Sequence, residues 1–165
     1  MLIKKHQHGV GLVEILVSLV ILSIGILGYV ALQVRALEAS VEAGNNIQAM
    51  NIARDLAERM RMNRDGLEDY KNPTLTADDL EACETNYCDA TALAKFDYGQ
   101  VKQQAADRGM ALSVLNCPES TLSRLCVYVA WDDTQPTNST EEDACTNGVA
   151  YHPRAKCIIM EALND

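Results

Sequence analysis

Residues 9–32 read GVGLVEILVSLVILSIGILGYVAL, an almost unbroken apolar stretch with one charged member, Glu14. As a helix rising about 1.5 Å per residue, residues 10–32 would extend roughly 34 Å, enough to cross a hydrocarbon core of about 30 Å. The first nine residues, MLIKKHQHG, are short and polar and carry Lys4 and Lys5 as their formal charges. Cations on that side predict that this end stays in the cytoplasm and the remainder is exported. A cleavable secretory signal has a shorter apolar core, of about 7–15 residues, followed by an A-x-A-like site. Residues 28–40 offer no good site of that kind.

The composition agrees with export. The chain has 165 residues, with 14 basic and 23 acidic side chains and a formal net charge of −9. That length suits one small domain with an appendage. The acidic balance argues against binding a nucleic-acid backbone, which needs a basic surface. All six cysteines lie after residue 82. An even number confined to one segment predicts disulfides formed in an oxidising compartment.

Glu14 needs an explanation. A carboxylate in the middle of a membrane helix costs about 2.5–3.5 kcal/mol on insertion scales. Two readings of the residue alone stand open: it is hydrated near the interface, or it meets a partner.

KKHQHG followed by VGLVEILVSLVILSIGILGYVALQ resembles the N-terminus of a type IV prepilin. In that family a short basic leader ends in Gly, and prepilin peptidase cuts after it on the cytoplasmic face. The new N-terminus is methylated, and a Glu stands fifth from it. The resemblance implies a leader over 1–9, cleavage between Gly9 and Val10, N-methylation of Val10, and Glu14 as the fifth mature residue. Val10 departs from the common Phe, and Gly11 from a common Thr or Ser. The stretch LVSLVILSIGILGYVALQ and the later AMNIARDLAERMRMNRDG resemble the PilV group of minor pilins. This likeness is strong over residues 1–64 and loose beyond them. Type II secretion pseudopilins share the first segment.

The physical reading supports the implied role of Glu14. Cleavage gives Val10 a cationic amine, and axially staggered helices can bring that amine to a neighbour's Glu14. Such pairing relieves the cost of an isolated charge and rewards one register. Removal of the leader takes Lys4 and Lys5 with it and leaves a formal charge of −11.

Helical periodicity continues through residues 33–62, in Val34, Leu37 and Val41 and again in Met50, Ala53, Leu56, Ala57 and Met60. One helix over 10–62 is expected, apolar all round in its first half and amphipathic in its second, which should lie on a globular domain. Gly25 and Gly28 read as places of close helix–helix contact rather than of unwinding. Arg54, Arg59, Arg61 and Arg64 read as a solvated face with Asp55–Arg59 and Glu58–Arg61 pairs.

Beyond residue 62 the expectation is a turn-rich stretch over 63–75, a helix start over 76–81, and a helix over 89–108. Leu93, Phe96, Val101 and Ala105 would form that helix's apolar side, and Gly109 would end it. Strands are expected over 110–115, 125–131 and 156–162. In the second, Val127, Val129 and Trp131 alternate with Tyr128 and Ala130, as in a half-buried strand. Residues 132–151 read as a polar surface loop. The whole is an α+β pilin fold: a long N-terminal helix packed on a small antiparallel sheet, stabilised by disulfides. The proposed organisation is a leader at 1–9, a membrane-spanning and filament-core helix at 10–32, and a periplasmic domain at 33–165. Cys83/Cys88, Cys117/Cys126 and Cys145/Cys157 is the simplest pairing. A rival joins Cys126 to Cys157 and Cys117 to Cys145.

Enzyme chemistry lacks its parts: there is no G-x-S-x-G, no H-E-x-x-H and no glycine-rich phosphate loop. No catalytic, metal or cofactor residue is expected. His152 reads as an exposed loop residue. The resemblance implies a minor pilin of the inner membrane that helps prime a type IV pilus, becomes part of it, and supports twitching motility, adhesion and DNA uptake. Its implied partners are prepilin peptidase, other minor pilins, the major pilin and a tip adhesin, with no direct contact to nucleic acid. The alternatives are a type II secretion pseudopilin and a pilin that captures DNA or another ligand directly.

Overall fold

The computed structural model describes residues 11–80, 82–85, 87–118 and 124–163. Helix α1 runs unbroken over Leu12–Met62. The chain divides inside it, between Ala43 and Gly44.

In the first unit the described large apolar side chains are exposed, among them Leu12, Leu27 and Leu37. Three hydroxyls bond back one turn: Ser18 to the Glu14 carbonyl, Ser23 to that of Leu19, and Ser40 to that of Ala36. Those bonds meet the hydroxyls' needs inside the helix, as an apolar medium requires. α1 passes through Gly25 and Gly28 without interruption, and a Cβ at either would meet nothing within 4 Å. The helix contact expected at these glycines is therefore not made within the chain. Val34, Leu37 and Val41, expected to face a domain, are exposed as well.

The second unit begins where α1 turns amphipathic in practice. Its buried stripe is Ala49, Ile52, Ala53, Leu56, Ala57 and Met60, recurring at helical spacing. Met50, expected on this stripe, is 43% exposed. It sits one position around the helix from Ala49, far enough to leave the buried face. The helix gives way to a 3-10 helix at Arg64–Tyr70, then to another at Asp78–Leu80. Thr76 donates its N–H and hydroxyl to Asp79 at 2.7 Å each, so the expected helix start exists, but it yields only this single turn. Helix α2, Ala82–Thr85, is equally short.

Helix α3 covers Ala90–Ala106, with the Asp89 carboxylate accepting the Ala92 N–H as its N-cap. Its buried face is Ala94, Asp97, Tyr98, Gly99, Val101 and Ala105, while Leu93 and Phe96 are only half-buried. Val101 and Ala105 are buried as expected, whereas Leu93 and Phe96 give way to Ala94, Tyr98 and Gly99, because the small Ala94 and Gly99 permit closer packing than the larger side chains beside them. A Cβ on Gly99 would stand 2.5 Å from Leu80. Gly109, at φ +70°, turns the chain out of the region after α3, a conformation glycine adopts without strain.

Strands β1 (Met110–Asn116), β2 (Leu125–Trp131) and β5 (Cys157–Leu163) form an antiparallel sheet in the order β1-β2-β5. Val114 stands opposite Val127, and Val127 opposite Met160. Residues 132–151, expected to be loop alone, contain β3 (Gln135–Asn138) and β4 (Ala144–Thr146), paired in parallel. They form because Cys145 is drawn to β5 by its disulfide with Cys157, which buries Ala144, Cys145 and Thr146. The same layer covers the second face of β2. That strand is therefore buried on both sides rather than half-buried. Leu125, Val127, Val129 and Trp131 face the core made with α1 and α3. Cys126, Tyr128 and Ala130 face a second core with Cys145 and Cys157.

The structure pairs Cys83 with Cys88, Cys117 with Cys126 and Cys145 with Cys157, at Cα separations of 5.5, 4.9 and 5.9 Å. It makes the sequential set and not the cross-strand rival. The architecture is α+β and pilin-like: a long apolar N-terminal helix, a small antiparallel sheet and three disulfides.

Candidate functional site

The sequence places function at the start of α1. Gly9 and Val10 lie outside the described residues. Glu14 lies in the first turn of α1, with its N–H donating to the Gly11 carbonyl at 2.9 Å. The positive end of the helix dipole favours a carboxylate there. Downstream of Glu14, an 18-residue window reaches a mean hydropathy of 2.7 with none of it buried within the chain. An apolar surface of that length must be covered, by lipid or by other chains. This helix is long and apolar enough to cross a membrane.

The far end of α1 carries a polar network that the sequence reading did not find. Arg59 donates to Asp55 at 3.0 Å, as expected of the helical pair, and also to Asp97 on α3 at 2.9 Å. Tyr70 donates to the other oxygen of Asp97 at 2.8 Å. Asn63 donates to the Ala90 carbonyl at 2.7 Å and to the Tyr70 hydroxyl at 3.4 Å. Burial draws the Arg59 pKa down, but the hydrogen bonds and charges of Asp55 and Asp97 outweigh it and hold the guanidinium above its ordinary value. Burial raises the Tyr70 hydroxyl strongly, with Asp97 adding to the rise. The network locks α1, the 3-10 helix and α3 together. Arg61 pairs with Glu58 as expected and also donates to the Ala162 carbonyl on β5 at 3.1 Å. Arg59 is thus a structural tie rather than part of a solvated face, while Arg61 stays exposed as expected and adds one bond to the sheet. A mid-helix Asp between Phe96 and Tyr98 was the available signal, since an acid in an apolar helix segment needs a partner.

Open clefts lie among the described residues of the domain. One, of about 650 Å³, is lined by Asp132, Asp133, Glu142 and Asp143, of which Asp132 pairs with Lys156 at 2.6 Å and Glu142 with Arg154 at 3.1 Å. Another, of about 820 Å³, runs along α3 past Gln100, Gln103 and Gln104. Neither is lined by a Ser, Cys or His that could act as nucleophile or base. His152 is half-buried rather than exposed, and its Nε2 lies 3.0 Å from the Ser139 carbonyl. A carbonyl only accepts, so Nε2 carries the proton in that contact. The described cysteines are all disulfide-bonded.

Two comparisons bear on these features. The prokaryotic N-terminal methylation motif matches residues 4–30. A family model for type IV pilin Tt1218 (Tt1218-like) matches residues 31–99. Among curated proteins and solved structures, none matches the chain. The two matches adjoin within α1, and the second takes in Arg59, Asn63, Tyr70 and Asp97. They fit a type IV pilin-like chain and support a pilin-type role; the pilin family they point to is structural. The methylation motif implies processing by prepilin peptidase and assembly with other pilins, and together with the apolar helix it fits an inner-membrane anchor.

Proposed function

We propose that this type IV pilin-like chain is a minor pilin, which helps prime a type IV pilus and becomes part of it. The observation that carries the reading is the continuity of α1. One helix carries residues 12–30 of the methylation-motif match, exposed and apolar, and continues into the pilin-matching segment, whose stripe from Ala49 to Met60 is buried in a disulfide-bonded domain. A subunit that first sits in a bilayer and then stacks in a filament needs both surfaces on one element.

In this reading the leader ends at Gly9, prepilin peptidase cuts before Val10, and Val10 is methylated. The N-terminus stays cytoplasmic, and the disulfide-bonded domain folds in the periplasm. The amine of Val10 on one subunit meets Glu14 of a neighbour, which sets the axial register. The partners are other minor pilins, the major pilin and a tip adhesin, and the pilus supports twitching, adhesion and DNA uptake. The two segments resembling the PilV group support the minor-pilin assignment.

Fractionation of sheared filaments tests this. The processed chain should co-purify with pili in small amount, and deletion of its gene should reduce piliation, with restoration on complementation. Undiminished piliation together with lost protein secretion would assign the chain to a secretion pseudopilus instead.

A further inference from the structure

The three-stranded sheet has two edges, and an edge strand presents N–H and C=O groups to any other extended chain. Here side chains occupy several of those groups. On β1, the Leu112 carbonyl accepts from the Tyr98 hydroxyl at 3.3 Å, and the Val114 N–H donates to Asn72 Oδ1 at 3.0 Å. On β5, the Ala162 carbonyl accepts from Arg61. The Ile159 N–H, turned away from β2, donates to the Tyr151 hydroxyl at 3.1 Å.

Tyr151 differs from the other capping groups. Tyr98 is a core residue, whereas Tyr151 is 52% exposed. It is nevertheless held in place. It lies in the loop closed by Cys145–Cys157 and forms a bridge with Thr146. The intervening turn is tied by Asn147 Oδ1, which accepts the N–H groups of Val149 and Ala150, and by the Thr146 hydroxyl, which donates to the Ala150 carbonyl at 2.8 Å. Gly148 takes φ +95° inside that turn. A built turn thus holds an exposed tyrosine with its hydroxyl on a strand edge.

β5 reads CIIMEAL. It has one charge, no Pro and no Gly, and is rich in β-branched and apolar residues. Such a segment pairs readily with another copy of itself when its edge is open. Its best-matched partner is the same strand of a second chain, in an antiparallel two-fold pair.

We propose that Tyr151, held by the Cys145–Cys157 loop, guards the outer edge of β5 against strand addition by a second copy of this chain. The guard leaves the helices, not the sheet, as the surface through which copies associate.

The test compares the full processed chain in detergent micelles with its Tyr151→Phe variant, which keeps the ring and removes only the hydroxyl. Hydrogen exchange is read at Ile159 and at Ile158, at low and high protein concentration. In dilute solution, exchange at Ile159 should be at least tenfold faster in the variant, with Ile158 unchanged. At high concentration the variant alone should regain protection at Ile159, as copies pair through β5. Equal Ile159 exchange in both proteins would overturn the proposal, as would concentration-dependent protection in the unmodified chain. If Tyr151→Phe loses its near-ultraviolet circular dichroism, Asn147→Ala, which loosens the same turn, is read by the same criteria.

Discussion

Arg59 on α1 and Asp97 on α3 stand 2.9 Å apart, and Tyr70 holds the second carboxylate oxygen of Asp97 at 2.8 Å. The Asp97 side chain is 10% exposed, so these two donors meet its hydrogen-bonding needs in place of water. Asp97→Ala would leave the Tyr70 hydroxyl without its acceptor and Arg59 with Asp55 alone. The expected loss is about 1–3 kcal/mol, below the full value for a buried pair because Arg59 is a third exposed. Asp97→Asn should lose less. Urea denaturation of the processed chain measures both. An unchanged midpoint in Asp97→Ala would show that the network contributes nothing.

The division of α1 predicts opposite responses to the same substitution. Leu56 is fully buried and Leu37 is 67% exposed. Leu56→Ala should cost about 2–5 kcal/mol through lost transfer energy and a cavity. Leu37→Ala should leave the domain's stability within about 0.5 kcal/mol. Equal losses would contradict the burial pattern.

Alkaline pH should unfold the domain. Burial pushes the Tyr98 and Tyr128 hydroxyls up to about 12 from an ordinary value of 10, with Tyr151 adding to the rise at Tyr128. Between those two values the unfolded chain loses protons that the folded chain keeps. Stability is therefore fully present below pH 10 and falls as pH rises from 10 to 12. Tyr128→Phe should flatten that fall. A stability profile level from pH 9 to 12 would refute it.

The disulfides should differ in weight. Cys145–Cys157 encloses a sequence separation of 12 and pins β4 to β5, while Cys83–Cys88 encloses 5. Chain-entropy arguments give about 3 and about 2 kcal/mol respectively. Paired Ser substitutions at 145 and 157 should also expose Ala144 and Tyr128, enlarging the gap. Thermal melts of the two double variants check the order, and a larger loss at 83/88 would reverse it.

Much of this was legible in the sequence where the pattern is local. The run at 10–32, the span of α1, the helix after Asp89 and the three strands of the sheet all follow from periodicity and caps. The misses share a cause. Met50, Leu93 and Phe96 were assigned by hydrophobicity alone, whereas Ala49, Ala94 and Gly99 take the buried positions because elements approach most closely at small residues. β3, β4 and the second core on Tyr128 follow from the Cys145–Cys157 link, a pairing the sequence offered beside a rival, but the polar composition of residues 132–151 does not show that the link draws that stretch into strands. Asp97 gains its role only when the fold brings Arg59 and Tyr70 to it. Of the candidate site, Glu14 and the exposed apolar helix were readable, and the network that anchors α1 to α3 was not.

Glu14→Leu separates processing from assembly. Cleavage before Val10 should continue, since the leader and Gly9 are intact. Incorporation into filaments should fall sharply because the neighbour's amine loses its counter-charge. Quantifying the variant in the membrane and in the sheared-filament fraction checks this. Normal incorporation would remove Glu14 from the account.

The most direct measurement is the intact mass and N-terminal sequence of the exported protein, with and without prepilin peptidase. The account predicts a chain beginning at methylated Val10, with three disulfides, only when the peptidase is present. A chain that retains Met1 in the peptidase-competent strain would contradict it.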